Sequence, residues 1–390
     1  MDPKIVAIVV FVVAYVLFAF LPTRRSFVAV GASLLLIALG VMSVPTAFTA
    51  INWNVMGIFV GTLVLADAFI ESRCPAFLAE TIVDRSRSTA WALMFICALT
   101  SFISAFVENV ATVLIVAPIA ISLAKKLEMN PVNMMIGIAI CSNLQGTATL
   151  IGDPPSMLLG GFAKMTFMDF FFYQGKPSIF FAVEFGALFS FVVLYFVFRK
   201  HTQKPALVAI EEVKSWWPTI LLVALVFVLA ASSFLDKGFS YLAGIICLVF
   251  GAAAWVWGVS FEPGFFGKSM RRLDWDTTFF LMGIFIIVGG LTATGWIQTM
   301  ADWISGVVGE NVFVGFVLIV FISVVVSAFV DNVPFLAAML PVGVSLGESM
   351  DRDPTLFLFG LLIGASLGGN LTPIGASANI VACGMLRKEG

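Results

Sequence analysis

Stretches such as Ile5 to Leu21 and Trp216 to Leu235 are apolar almost throughout, and this feature leaves the chain few possible folds. About 20 apolar residues span the roughly 30 Å hydrocarbon layer as a helix, and inside that layer only helices and closed barrels pair every backbone N–H and C=O. Barrel strands alternate apolar and polar residues over about ten positions. These runs do not alternate, so the chain reads as an all-α integral membrane protein that passes several times through the cell membrane. Composition agrees: 61% of the 390 residues are apolar and 11% charged, where soluble domains carry about a quarter charged. The first run lacks a basic start beyond Lys4 and a small-x-small cleavage site before Arg24, and so reads as a membrane helix rather than a secretory signal.

The same composition removes whole classes of function. A net charge of -2 with no dense basic tract offers nothing to follow a phosphate backbone, so no nucleic-acid partner is expected. Cys74, Cys97, Cys141, Cys247 and Cys383 are odd in number and never form a CxxC pair, which signals neither a disulfide framework nor a zinc site. His201 is the only histidine, and this removes His-based metal centres and Ser-His or Cys-His nucleophilic chemistry. No Walker sequence is present for ATP. Neither an enzyme nor a bound cofactor is expected.

The chain is internally duplicated. Ser104 to Pro118, SAFVENVATVLIVAP, matches Ser327 to Pro341, SAFVDNVPFLAAMLP, at seven of fifteen positions with an offset of 223. At the same offset Gly137 to Gly152 matches Gly360 to Gly375 at seven of sixteen, and Trp53 in INWN pairs with Trp275 in LDWD at an offset of 222. Helix candidates in the first copy are 4 to 22, 27 to 43, 54 to 70, 90 to 107, 112 to 124, 131 to 165 and 177 to 198. Only fourteen residues separate Ala111 from the Lys125-Lys126 pair, too few to cross, so 90 to 124 reads as a re-entrant hairpin with its tip at Glu108-Asn109. Counting Arg24-Arg25, Arg85, Arg87, Lys125-Lys126, the 199 to 204 loop and Lys268 to Arg272 as cytoplasmic gives the first copy five crossings and one hairpin. An odd number inverts the second copy, whose hairpin at Asp331-Asn332 enters from the other side.

This pattern predicts two inverted-topology repeats, each with a re-entrant hairpin and a broken membrane helix. Residues 1–200 form the first repeat, with scaffold helices in 1–70 and 177–200 and transport elements in 88–165. A cytoplasmic linker covers 201–215. The second repeat, 216–390, has scaffold helices in 216–293 and transport elements in 311–386, and its counterpart of helix 177 to 198 is missing, which leaves open a natural early end or a shortened chain.

Backbone broken in mid-membrane is tolerated only where protein or a water-filled cavity satisfies the freed groups, so breaks mark a candidate binding site. Four are legible: Glu108-Asn109, the run from Gly146 to Pro155, Asp331-Asn332, and the run from Gly368 to Gly375. Asn109, Ser142, Asn143, Thr147, Thr149, Asn332, Asn370, Thr372, Ser377 and Asn379 supply neutral donors and acceptors there, while Gly146, Gly152, Gly369 and Gly375 allow close backbone approach. A sodium ion near Asn109, Asn332, Thr149 and Thr372 fits such a lining. Glu108, Asp153 and Asp331 are acids at membrane depth, where a charge costs about 2.5 to 3.5 kcal/mol on insertion scales, and each can exchange a proton for a cation. The plainer readings are that the asparagines are interhelical glue and that Glu108 and Asp331 cap returning helices; capping and ion binding are compatible.

At these residues the sequence resembles the ion transporter superfamily, which holds arsenite permeases, one family of bacterial sodium/proton antiporters, the melanosomal P protein and, more distantly, sodium-coupled dicarboxylate symporters. SAFVENVATVLIVAP with TLIGDPPS, then SAFVDNVPFLAAMLP with GGNLTPIGASAN, is most similar to the arsenite permease and P protein branch, over residues 50 to 390. The resemblance implies a dimerising scaffold and a transport domain that moves as an elevator, with Asn109 and Asn332 as hairpin-tip asparagines and Thr149 to Ser156 and Thr372 to Asn379 as ligand-facing breaks. The expected function is secondary transport of a small ion, first a small anion or oxyanion coupled to H+ or Na+. Sodium/proton antiport and a passive channel are the alternatives.

Overall fold

The computed structural model describes residues 2–21, 24–204, 211–261, 264–308 and 311–388. Among the described residues the regular structure is helical apart from one two-stranded hairpin, β1 (Phe172–Tyr173) and β2 (Lys176–Pro177). The first half runs α1 (Pro3–Phe20), α2 (Arg25–Ala38), α3 (Val44–Ala50), α4 (Trp53–Glu71), α5 (Cys74–Arg85), α6 (Thr89–Ser104), α7 (Asn109–Lys126), α8 (Val132–Gly146), α9 (Pro154–Ala163) and α10 (Ile179–Phe198). The second half runs α11 (Trp217–Ser232), α12 (Leu242–Phe261), α13 (Phe265–Arg272), α14 (Trp275–Ala293), α15 (Trp296–Val308), α16 (Val312–Ser327), α17 (Asn332–Ser349), α18 (Thr355–Gly369) and α19 (Ser377–Lys388).

The duplication seen in the sequence is carried into the helix boundaries. Adding 223 to the bounds of α6, α7 and α8 gives the bounds of α16, α17 and α18, and adding 222 to α4 gives α14. The capping residues repeat as well. Asn52 and Asp274 cap α4 and α14, Ser88 and Asn311 cap α6 and α16, and Glu108 and Asp331 cap α7 and α17, each through a side-chain oxygen that accepts from a backbone N–H inside the first turn. A helix N-terminus has four unpaired donors, so a short polar side chain before it fixes where the helix starts.

Six of the described helices are long and apolar enough to cross a membrane: α1, α4, α7, α10, α12 and α14. The protein is a multi-pass membrane protein. One expectation is overturned: the return limb of the first hairpin begins at Asn109, not Ala111, and α7 has 18 residues rather than fourteen. Its length is therefore compatible with crossing, so shortness is no argument for re-entrance. Pro118 removes one backbone donor but lies inside α7 without ending it, and Pro341 sits at the same place in α17. The amphipathic helices α13, with three basic residues, and α15, with Asp302 as its one charged residue, were not foreseen.

Two helix pairs cross closely in matching ways. A Cβ on Gly57 of α4 would lie 2.9 Å from Gly244 Cα of α12, and one on Gly61 would overlap the backbone of Cys247. The counterpart of Gly61 is Gly283 of α14, where a Cβ would lie 2.7 Å from Ala29 of α2; the Ser33 hydroxyl donates to the Gly283 carbonyl nearby (3.0 Å). Small residues let membrane helices meet backbone to backbone, where dispersion replaces the missing hydrophobic drive. Exposed Phe, Leu and Val side chains cover α1, α10, α11, α12 and α16 on their outer faces, while α4, α14, the helices from α6 to α9, α17 and α18 carry most of the buried residues.

Gly61→Leu is accordingly expected to lower stability by at least about 1–3 kcal/mol, the usual range for overpacking, and to lower the thermal unfolding midpoint in detergent by several degrees. Gly31→Ala, at a position with nothing within 4 Å, should leave that midpoint unchanged or raise it slightly.

Candidate functional site

Each half contains a hairpin tip, residues 105–108 or 328–331, lying against a helix break, residues 147–153 or 370–376. The same hydrogen bonds join tip to break in both. Thr149 Oγ1 donates to the Ala105 carbonyl and Thr372 Oγ1 to that of Ala328, both through short contacts. Ser104 Oγ donates to Ser142 O and Ser327 Oγ to Ala365 O, each at 2.8 Å. Across each break, Ser156 Oγ reaches Gly146 O (3.2 Å) and Asn379 Nδ2 reaches Gly369 O (2.7 Å). The carbonyls of Ala105, Ala328, Gly146 and Gly369 are ones that a helix end leaves without an intrahelical partner, and in a membrane they must be satisfied within the protein. Gly152 and Gly375 permit the crossing, since a Cβ on either would press on the carbonyls of the tip, Ser104 or Ser327, at 2.9 Å.

Asn143 joins the two halves. Its Nδ2 donates to Asn370 Oδ1 (2.9 Å) and Asn379 Oδ1 (2.8 Å), and its Oδ1 accepts from Asn109 Nδ2 (3.2 Å). Ser142 Oγ also donates to Asn109 O (2.9 Å). Asn332, in the amide orientation that satisfies its neighbours, donates to Ala365 O (3.1 Å) and Gly375 O (3.2 Å). Thr147 Oγ1 turns back to Leu144 O (2.6 Å). Ser142, Asn143, Gly146, Thr147, Thr149 and Gly152 are thus buried and bonded within the protein.

The two tips come together at a cleft of about 30 Å³, room for a water-sized guest. It is lined by Glu108, Asn109 and Val110 from the first tip, Asp331, Asn332 and Val333 from the second, Pro154 and Pro155 from α9, and Ala376 and Ser377 from α19. Four helix N-termini therefore converge, those of α7, α9, α17 and α19. Glu108 Oε2 accepts from Ala111 N (3.0 Å), Asp153 Oδ1 from Ser156 N (3.1 Å) and Asp331 Oδ1 from Val333 N (3.1 Å). Ala376 stands where Asp153 stands in the other half, so α19 has no such acid of its own. The second oxygen of Asp153 is fully buried and accepts no hydrogen bond among the described residues. Gly369, Asn370, Thr372 and Gly375 lie in the second break. Asn370, Thr372 and Asn379 border a separate, mainly apolar cavity of about 250 Å³ between α8 and α19.

Three residues that sequence reasoning missed complete the cleft: Arg25 of α2, Asp274 and Thr277 of α14. Arg25 was read as a cytoplasmic loop charge. It starts α2 instead, largely buried, with Nη1 2.8 Å from Asp331 Oδ2, Nε 3.2 Å from Asp276 Oδ2 and Nη2 2.8 Å from Thr277 Oγ1. A signal was available in the paired motifs, because INWN and LDWD put neutral Asn52 and Asn54 where the second half has acidic Asp274 and Asp276.

The two halves of this interior dock unequally on the helices around them. Gly161 of α9 lies against the start of α4, where a Cβ would be 2.7 Å from Val55 and 2.9 Å from Asn52. Its counterpart 223 residues on, Gly384 of α19, has nothing within 4 Å among the described residues. The start of α14, the counterpart of that docking surface, faces the hairpin tips instead.

Comparison with known proteins adds the following. The family profile described as "Citrate transporter" matches residues 15–351 and again 269–390. An uncharacterized transporter of Mycobacterium tuberculosis is 28% identical over 99% of this chain and 91% of its own length. The P protein of Sus scrofa is 24% identical over 99% of this chain and 56% of its own. The crystal structure of the YdaH transporter of Alcanivorax borkumensis, described as having an unusual topology, superposes with a TM-score of 0.60 at 13% identity, covering 100% of this chain and 92% of that one. At that identity the likeness concerns the fold alone.

The tip-to-break bonds predict an unequal pair of mutants. Thr149→Val leaves the Ala105 carbonyl unpaired in a fully buried place and should cost about 1–3 kcal/mol. Thr372→Val should cost less, because the second break is more exposed, with Leu371 and Ile374 open. Thermal unfolding of the two variants side by side checks the order.

Proposed function

The chain belongs to the citrate transporter family, and on that premise we propose that it is a secondary active transporter that carries a small ion coupled to H+ or Na+ by alternating access. In this reading the two halves are inverted repeats, the tips and breaks form a moving transport domain, and α1, α2, α4, α10, α11, α12 and α14 form a scaffold that pairs with a second copy.

One observation carries it: a duplicated interior docked unequally on a duplicated frame. The bonds of the two tips and breaks repeat with one offset, whereas α9 is docked on α4 and α19 is not docked on α14. Two equal binding halves in unequal surroundings are what a carrier caught on one side of its cycle requires, with the exchanged arrangement, Gly384 on Asp274 and Thr277, as the other side. A fixed pore needs no such counterpart surface.

The charges in the cleft argue for coupling. Glu108, Asp153, Asp274 and Asp331 stand near one another, and Arg25 is the cation that lines the cleft with them. An anion meets four helix N-termini, which favour it, but also these acids, which oppose it. Binding protons or sodium to the acids removes the opposition, so a small carboxylate or oxyanion enters together with the coupling cation. The cluster of acids and the second oxygen of Asp153, which has no partner among the described residues, also fit sodium/proton antiport, which is the second reading.

In proteoliposomes, counterflow of labelled citrate or arsenite against its gradient, or sodium flux driven by a pH gradient, is expected and is not given by an open pore. Glu108→Gln should flatten the pH or sodium dependence of that flux; unchanged dependence would sink the coupling role. Gly384→Leu should lower exchange at least tenfold while leaving thermal stability unchanged, since its side chain meets nothing in the present arrangement. Wild-type exchange by that variant contradicts the alternating docking.

A further inference from the structure

Arg25 is held by α14 more firmly than by the hairpins. Its Nε pairs with Asp276 (3.2 Å), its Nη2 with Thr277 (2.8 Å), and its guanidinium lies over the Phe280 ring at 5.2 Å. All three partners are on α14, and Ser26 beside it also donates to Asp276. Only Nη1 reaches across to the second tip and α19, to Asp331 Oδ2 at 2.8 Å and Ser377 Oγ at 3.3 Å. Asp331 in turn spends Oδ1 on the Val333 N–H and shares Oδ2 between Arg25 and Ser377 Oγ (2.8 Å). The counterpart start of α12 carries no cation: there Asn54, the mate of Asp276, accepts from the Gly244 N–H (2.7 Å).

From this geometry we propose that Arg25 is a tethered cation that competes with the coupling ion for Asp331, and so sets the specificity and tightness of coupling. The proposal rests on the carrier reading above and adds the residue that makes an empty cycle unfavourable. A monovalent cation or a proton can neutralise Asp331 only by taking the place of Nη1 at Oδ2. Arg25 then remains on Asp276, Thr277 and Phe280, and the tip is released from α2. Without that cation, moving the tip away separates a charge pair in a poorly hydrated cleft, which is strongly opposed. The other charged groups facing Asp331 are Glu108 from the first tip, Asp153 at the first break and Asp274 and Asp276 on α14. All are acidic, so they draw a cation in without themselves replacing Arg25. Lysine cannot substitute fully, because a single ammonium cannot hold Asp276 and Thr277 while reaching Asp331.

The test uses purified full-length protein in detergent, with sodium chloride against choline chloride, and separately pH, as the two probes. The readout is the thermal unfolding midpoint as a function of each. In the wild type one of the two cations raises the midpoint. In Arg25→Gln the half-effective concentration of that cation falls at least fivefold, and Arg25→Lys lies between. In an Asp331→Asn background, Arg25→Gln produces no further change. Which probe responds tells sodium from proton. Equal midpoints for wild type and both Arg25 variants overturn the proposal, as does an Arg25→Gln effect of the same size with Asp331→Asn present, or a wild type indifferent to both probes. If Arg25→Gln does not fold, Arg25→Lys decides by the same criterion. Counterflow by the wild-type protein is scored apart, so a failed carrier reading and a failed role for Arg25 give different results.

Discussion

Every special feature of this molecule depends on paying for broken helix inside a membrane with side-chain hydrogen bonds. A helix that ends at Gly146 or Gly369 leaves carbonyls with no water to receive them, and each would cost several kcal/mol if left alone. Ser156, Asn379, Ser104, Ser327, Thr149 and Thr372 remove that cost. Because these donors sit on the hairpin tips or just beyond the breaks, satisfying the backbone also fixes tip against break. Local chemistry and tertiary arrangement are therefore one and the same constraint, met twice.

Much of this was legible in the sequence, for identifiable reasons. Glycine and proline next to Thr and Asn inside apolar runs mark interrupted helices, and the 223-residue offset links the four interruptions. The caps at Glu108 and Asp331 followed from a carboxylate preceding a helical run. The partners of the polar side chains were not legible. Thr149, Ser142 and Thr147 read as candidate ion-site residues, and the structure shows their hydroxyls donating to protein carbonyls; a sequence shows that a donor is present but not which acceptor it meets. The length of α7 differs from the fourteen residues counted in the sequence because that count left out Asn109 and Val110 at its start and Lys125 and Lys126 at its end.

Arg25 was invisible for a different reason. A basic residue between two apolar runs reads as a membrane flank, and only the packing of α2 on α14 carries it to the tips. Asp274 and Asp276 belong to the same oversight: their neutral mates Asn52 and Asn54 serve ordinary capping and packing in the first half, and the change of charge in the second half has meaning only beside Arg25. The duplication gave the pairing, and the departures from it point to the residues with individual tasks.

The unequal placing of Gly161 and Gly384 has a consequence for how such a chain evolves. When two halves present alternative docking surfaces to one mobile unit, the balance between its two resting positions is set by the difference between those surfaces, and a change of about 1.4 kcal/mol on either one shifts that balance tenfold. In the proposed carrier, selection can thus retune which side of the bilayer the empty molecule prefers through residues that never touch the cargo, leaving affinity alone. Divergence between the copies at Asn52 and Asp274 would then record the history of that preference rather than of the ion carried.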